Sequence, residues 1–246
     1  MKEFLYSRNA VYETLRAQRR QGFQLLLADG AQPKGRLSEI IHLARQCKIA
    51  VRSVPRLQLD KVHPQHQGVV LEASGYPYRG LVDILELAVQ RNEPPFVLIL
   101  DALQDPQNLG TLLRTAETVG VHGVVIPLAH TAEVTPAVVN ASSGASEHLL
   151  VARANLAQTI KTLKEEGLWI VGLEGSAEAC LPSQVRLDGA IGLVVGSEGQ
   201  GMRPLVRSSC DILLRLPMRG KIESLNAAVA GSIALYLAWQ SRHFAQ

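Results

Sequence analysis

Five short apolar runs constrain this chain more than any other feature: FVLILD (96–101), GVVIP (123–127), LWIVGL (168–173), AIGLVVG (190–196) and ILLRL (212–216). Helical patterns fall between them. Continuous apolar strands separated by helices of ten or more residues predict a parallel sheet covered on both faces, because each crossover lays a helix over it. In such α/β sheets ligands gather beyond the carboxyl ends of the strands. The turns that follow the strands are therefore the places to look for chemistry.

The front of the chain has a different rhythm. A helix near 7–20, a strand at 23–28, a helix near 35–47 and strands at 49–54 and 68–73 predict a small α/β unit of about 75 residues. The turn-forming stretches SGYPYRG (74–80) and RNEPPF (91–96) flank a short helical pattern. They divide the chain into a front domain (1–74), a linker (75–94) and a second domain (95–246). The 246 residues are 47% hydrophobic, enough for two proper cores. No run is long and apolar enough for a membrane span, and the charged start lacks the apolar centre of a signal peptide, so the expectation is a cytoplasmic protein. Cys47, Cys180 and Cys210 are scattered and suggest neither a disulfide framework nor a zinc site. Residues 1–90 hold 13 Lys and Arg against 8 Asp and Glu. Clusters such as RAQRR (16–20) and KGR (34–36) could meet phosphates, and equally they fit a solvated helix face.

Three stretches follow strand ends. The first, LDALQDPQNLGTLLRTAETVG (100–120), turns through Asp105 and Pro106 into a helix with Asn108 as its expected N-cap, and Arg114 lies about one turn in. On spacing alone, Arg114 reads as a surface charge as readily as an anion-binding group. The second, GLVVGSEGQGM (192–202), is rich in glycine, yet its G-x-x-G-x-G spacing fits neither the dinucleotide fingerprint nor the P-loop. The third, LPMRGKIESLNAAVAGSIALYLAWQ (216–240), opens on a proline turn and continues as a helix capped in expectation by Ser224. That helix is apolar nearly all round and must be buried on more than one side. Its small residues Ala230, Gly231 and Ala234 would allow a close helix contact, inside the core or with a second subunit.

Together, N-x-G-x-x-x-R at Asn108, Gly110 and Arg114, then VVGSEGQGM, then LPMRGKIESLNAAVA resemble, in order, the three motifs of the SpoU family of RNA ribose 2′-O-methyltransferases. The front segment is similar to that family's ribosomal-protein-like RNA-binding domain, through YSRNAVYETLRA (6–17) and HPQHQGVVLEA (63–73). The resemblance implies a parallel sheet with a deep trefoil knot, S-adenosylmethionine as methyl donor, no metal, and a homodimer. It implies that Gly196, Leu216, Met218 and Leu225 line the donor site. It assigns Arg114 to activation of the ribose hydroxyl, supplied across the dimer in one arrangement, with Asn108, Glu198, Ser224 and Asn226 orienting that arginine and the ribose. A guanidinium is a poor proton acceptor, so electrostatic activation is the role expected of it. The RNA partner it implies is a guanosine of 23S ribosomal RNA. Transfer RNA, another ribosomal nucleoside and a non-catalytic RNA-binding or assembly role are the alternatives.

Overall fold

The computed structural model describes residues 2–244. Its contacts divide into two compact units, Met1–Pro77 with Glu133–His148, and Tyr78–Ala132 with Leu149–Gln246.

The front unit runs β1 (Lys2–Tyr6), α1 (Arg8–Ala17), β2 (Gly22–Ala28), α2 (Arg36–Gln46), β3 (Ala50–Val54), α3 (Arg56–Asp60) and β4 (Val69–Ser74). Its sheet has the order β1-β4-β2-β3, with β3 parallel to β2 and the other pairs antiparallel. β4 sits centrally and is buried from Val69 to Ala73, whereas β1 buries only Leu5 and Tyr6. That difference explains why β4 is visible as an apolar run and β1 is hidden in a charged opening.

The second unit begins with α4 (Leu81–Arg91), which lies inside the stretch expected to be a linker and packs Ile84 into the core. Then follow β5 (Phe96–Leu100), α5 (Pro106–Thr118) and β6 (Gly123–Pro127). After β6 the chain enters the front unit as α6 (Pro136–Ala141) and a 3₁₀ turn (Ala145–His148). It returns as β7 (Val151–Ala154), α7 (Leu156–Glu165), β8 (Trp169–Leu173), β9 (Ile191–Val195), α8 (Pro204–Ser209), β10 (Ile212–Leu214) and α9 (Ala227–Ser241). The sheet order is β10-β8-β9-β5-β6-β7, and every pair is parallel.

The expected parallel α/β architecture is therefore present. β5, β6 and β9 are buried at every position, which is why their sequences show no alternation. β7 was not anticipated: it is four residues long, at the sheet's outer edge, and Arg153 interrupts its apolar pattern. α9 lies against α5, where a Cβ on Gly231 would come within 2.6 Å of Leu112. Thr115 and Ser232 link the two helices through their hydroxyls (2.9 Å). Among the described residues no helix is long and apolar enough to cross a membrane.

Candidate active site

β5 and β9 are parallel neighbours, with Leu100 paired to Val195, so their carboxyl ends deliver the segments beginning at Asp101 and Gly196 side by side. Asp101 is wholly buried. Its carboxylate accepts from the Arg203 backbone N–H and from Arg203 Nε, both at 2.7 Å, and so fastens the far end of the glycine-rich turn to the end of β5. The turn folds back on itself: Ser197 and Gly201 exchange backbone hydrogen bonds of 3.0 Å. A Cβ at Gly196 would stand 2.4 Å from the Met202 nitrogen, and Gly199 and Gly201 have φ of +77° and +67°. The glycine spacing thus serves a tight hairpin turn that presents Glu198 at its tip. This is why it matches no phosphate-binding pattern.

α5 starts earlier than expected. Asp105 is the N-cap, accepting from the backbone of Gln107 and Asn108, with Pro106 in the first helical position. Asn108 is thereby released from capping and sits in the first turn, nearly buried. At the other helix the expected cap is again displaced: Asn226, not Ser224, caps α9, its Oδ1 accepting from the backbone N–H groups of Ala228 and Val229. Capping by Oδ1 fixes the orientation of the amide and turns Nδ2 outward. Asn226 Nδ2 donates to Asn108 Oδ1 (3.0 Å) and to Glu198 Oε1, and Asn108 Nδ2 donates to the same Glu198 oxygen (3.1 Å). One carboxylate oxygen and two amides therefore join all three stretches at the carboxyl end of the sheet.

The other predicted site residues differ in exposure. Gly196 is buried, Leu216 half-buried, and Met218 and Leu225 are about 40% exposed (41% and 40%). From Leu216 to Asn226 the chain has no regular structure, and no backbone N–H in that span donates a hydrogen bond within the described residues. The segment carries apolar Leu216, Met218, Ile222 and Leu225 alongside Arg219, Lys221 and Glu223, and with its uncommitted backbone groups tied to an acidic turn it can offer both apolar contact and hydrogen bonds to a ligand. Ser224 is exposed two residues before the α9 cap. Arg114 is exposed and lies six residues beyond Asn108, two helical turns in rather than one. Six residues rotate a side chain by about 240° and advance it by about 9 Å, so Asn108 and Arg114 occupy different faces of α5. Asp101 and Arg203 are the members of this region that motif reading missed.

The model of the SpoU rRNA Methylase family matches residues 95–236, which span the whole of this arrangement. The chain belongs to the SpoU rRNA methylase family. Residues 4–79 match a second model, described as RNA 2′-O ribose methyltransferase substrate binding. A Bacillus subtilis relative, YacO, assigned by name to the TrmH family of tRNA/rRNA methyltransferases, is 44% identical over 98% of this chain and 96% of its own. Among solved structures, the SpoU methyltransferase AviRb from Streptomyces viridochromogenes, in complex with AdoMet, superposes with a TM-score of 0.81 at 21% identity, covering 99% of this chain and 92% of that one. An AdoMet-bound rRNA methyltransferase from Sinorhizobium meliloti gives 0.79 at 22% identity over 100% and 88%. The A. aeolicus TrmH/SpoU tRNA modifying enzyme gives 0.56 at 26% identity, over 67% and 86%. These likenesses place the SpoU fold on both units of the chain.

Proposed function

We propose that this SpoU-family protein transfers a methyl group from S-adenosylmethionine to the ribose 2′-hydroxyl of a guanosine in 23S ribosomal RNA, acting as a homodimer in the cytoplasm. The observation that carries the reading is the Asn108–Glu198–Asn226 junction, which gathers the three motif stretches beside the uncommitted backbone of 216–226. When bound, S-adenosylmethionine supplies an electrophilic methyl group on a sulfonium centre. Gly196, Leu216, Met218 and Leu225 are the residues that would hold it: the apolar side chains match its aliphatic part, and the free N–H groups match a purine edge. Glu198 offers negative charge near a cation.

The acceptor side falls to Arg114. Alkoxide character develops on the ribose oxygen as the hydroxyl attacks, and a guanidinium stabilises it without having to take the proton. An adjacent RNA phosphate or water receives that proton. Because Arg114 and Asn108 face different ways on α5, an arginine contributed by one subunit to its partner's ribose is favoured over one acting within its own site. The exposed apolar stripe of α9, Val229, Ile233 and Tyr236, supports association of two copies. The return of α9 from β10, at one edge of the sheet, to α5 is the feature that supports the knotted threading.

Ribosomal RNA is favoured because the neighbour named as an rRNA methyltransferase covers all of this chain, front unit included, whereas the one named as a tRNA modifying enzyme covers 67% of it. Calorimetry with S-adenosylmethionine and with NAD tests the donor, and mapping 2′-O-methylation in RNA from cells with and without the gene tests the target. Loss of a tRNA methyl group alone would move the reading to transfer RNA, and unchanged methylation would defeat it.

A further inference from the structure

We propose that the edge of the front unit formed by α2, β3 and α3 is the surface that binds RNA phosphates; this rests on the RNA methyltransferase reading above. Residues 34–61 contain seven Lys and Arg against two acids, a net charge of +5. That equals the whole basic excess of residues 1–90, so the rest of that stretch is neutral. The structure shows what separates the two sets of cations. Outside 34–61 the cations of the front unit are committed inside it: Lys2 pairs with Glu72 (2.5 Å), Arg16 with Glu13 (3.2 Å), Arg20 is buried against Glu3 and Glu147, and Arg8 donates to the Gln67 carbonyl (3.2 Å), while the exposed Arg79 belongs to the second unit. Arg19 donates to the carbonyls of Pro77 and Glu147.

Within 34–61, Arg36 pairs with Glu39 (2.9 Å) and Asp60 is held by His66 (3.0 Å). Lys34, Arg45, Lys48, Arg52, Arg56 and Lys61 are all exposed, and among the described residues their side chains make no ion pair or hydrogen bond. Topology places four of them together. Arg45 and Lys48 stand at the end of α2 and the turn into β3, Arg52 on β3 itself, and Arg56 at the start of α3. β3 pairs with β2 alone, so its other edge is open. The Asp29 carboxylate accepts from the Ser53 hydroxyl on this strand (2.6 Å), and the Asp29 backbone N–H donates to the Val54 carbonyl (2.8 Å).

Protecting an open sheet edge from strand addition takes a charge or two on the strand. The opposite edge strand, β1, carries Lys2, and that charge is neutralised by Glu72. The excess at β3 instead extends onto both flanking helices, whose two acids, Glu39 and Asp60, leave it at a net +5, which is the footprint of a surface for a polyanion. Phosphate contacts of this kind set affinity and register while the chemistry occurs elsewhere.

The test uses the full-length protein and two probes, transcripts of 23S ribosomal RNA and of a tRNA. A triple variant, Lys48→Gln, Arg52→Gln and Arg56→Gln, is compared with a control triple that removes equal charge from the second unit, Arg91→Gln, Lys161→Gln and Arg186→Gln. Binding is measured between about 50 and 200 mM salt, with S-adenosylmethionine affinity followed in parallel. The proposal expects the edge variant to bind RNA on the order of 100-fold more weakly at about 100 mM salt. Its log–log salt slope should be shallower by about 2 to 3, its donor affinity unchanged, and the control close to wild type. An edge variant that binds like wild type overturns the proposed surface while leaving the methyltransferase reading intact, and so does a control triple weakened as much as the edge triple. A wild-type protein that binds neither transcript overturns both.

Discussion

Asn226 performs two tasks with one amide, and its two ends can be separated by substitution. Asn226→Asp keeps an oxygen to cap α9 but replaces the donor with a second carboxylate oxygen against Glu198. The expected outcome is a thermal midpoint close to wild type with donor affinity and methyl transfer strongly reduced. Asn226→Ala also loses the cap, at a cost of about 1 kcal/mol. For Arg114, assigned to the acceptor hydroxyl, Arg114→Ala should reduce transfer by at least about 100-fold and change S-adenosylmethionine affinity little, a removed electrostatic stabiliser typically costing that much. Arg114→Lys should fail as well, because a point charge does not reproduce the planar fork. Single-turnover methylation with calorimetry separates these effects, and an Arg114→Ala variant of normal rate would sink the assignment. At this scale the three motif stretches were legible in sequence but not the bonds that join them. Asp101 and Arg203 are 102 positions apart, and an aspartate ending an apolar strand carries no mark of its partner. The caps were misplaced because several polar residues compete within three positions, and only backbone geometry chooses Asp105 over Asn108 and Asn226 over Ser224.

α9 shows what an element can and cannot reveal. Its sequence is apolar almost all round, so periodicity established that it is covered on several sides without saying by what. Of the small residues whose expected close contact was left between the core and a second subunit, Gly231 faces the protein's own α5 and β9, a Cβ there standing 2.6 Å from Leu112 and 3.2 Å from Val195, and Ala234 has no exposure. Val229, Ile233 and Tyr236, spaced at i, i+4 and i+7, are each more than 40% exposed and form the outward stripe. The two faces predict different failures. Ile233→Glu should leave the protomer folded and shift sedimentation to monomer at micromolar concentration. Ala234→Glu should instead lower stability by several kcal/mol, since it buries an unpaired charge. A dimeric Ile233→Glu protein would exclude this stripe from the interface. The same logic explains which strands were legible: β5, β6 and β9 are buried on both faces and read as unbroken apolar runs, while β1 and β7 are half-covered edge strands whose charged residues dilute the pattern.

At the scale of the molecule, the segment between β6 and β7 is the consequential feature, because its ends belong to one unit and its body to the other. It buries Val134, Val138 and Val139, and it brings Glu147 to Arg20, whose Nε and terminal nitrogen donate to the two carboxylate oxygens at 2.9 Å. Both side chains are essentially excluded from water, at 0% and 1% exposure. Sequence could not show this, since the partners are 127 residues apart and Arg20 belongs to a basic cluster that reads as a solvated face. A chain cut before residue 95 would strand this segment without its packing partner, so cleavage between the two units is predicted to yield a poorly soluble second fragment. Point substitution is the cleaner probe. Arg20→Met leaves Glu147 buried and unpaired, a loss of about 3 to 5 kcal/mol, and Arg20→Met with Glu147→Leu should recover much of it. The sign of the pH dependence follows from Glu147 itself. Burial pushes its carboxyl up and Arg20 opposes that shift, so removing Arg20 raises the folded-state value further above the unfolded one. Such a group stabilises least where the unfolded carboxyl has already ionised. The deficit of Arg20→Met should therefore be small near about pH 5 and grow toward about pH 8. Urea denaturation at the two pH values measures this, with hydrogen exchange over 133–148 reporting whether that segment opens first. A deficit that is the same at both values would mean that Glu147 is not held unpaired in the folded variant.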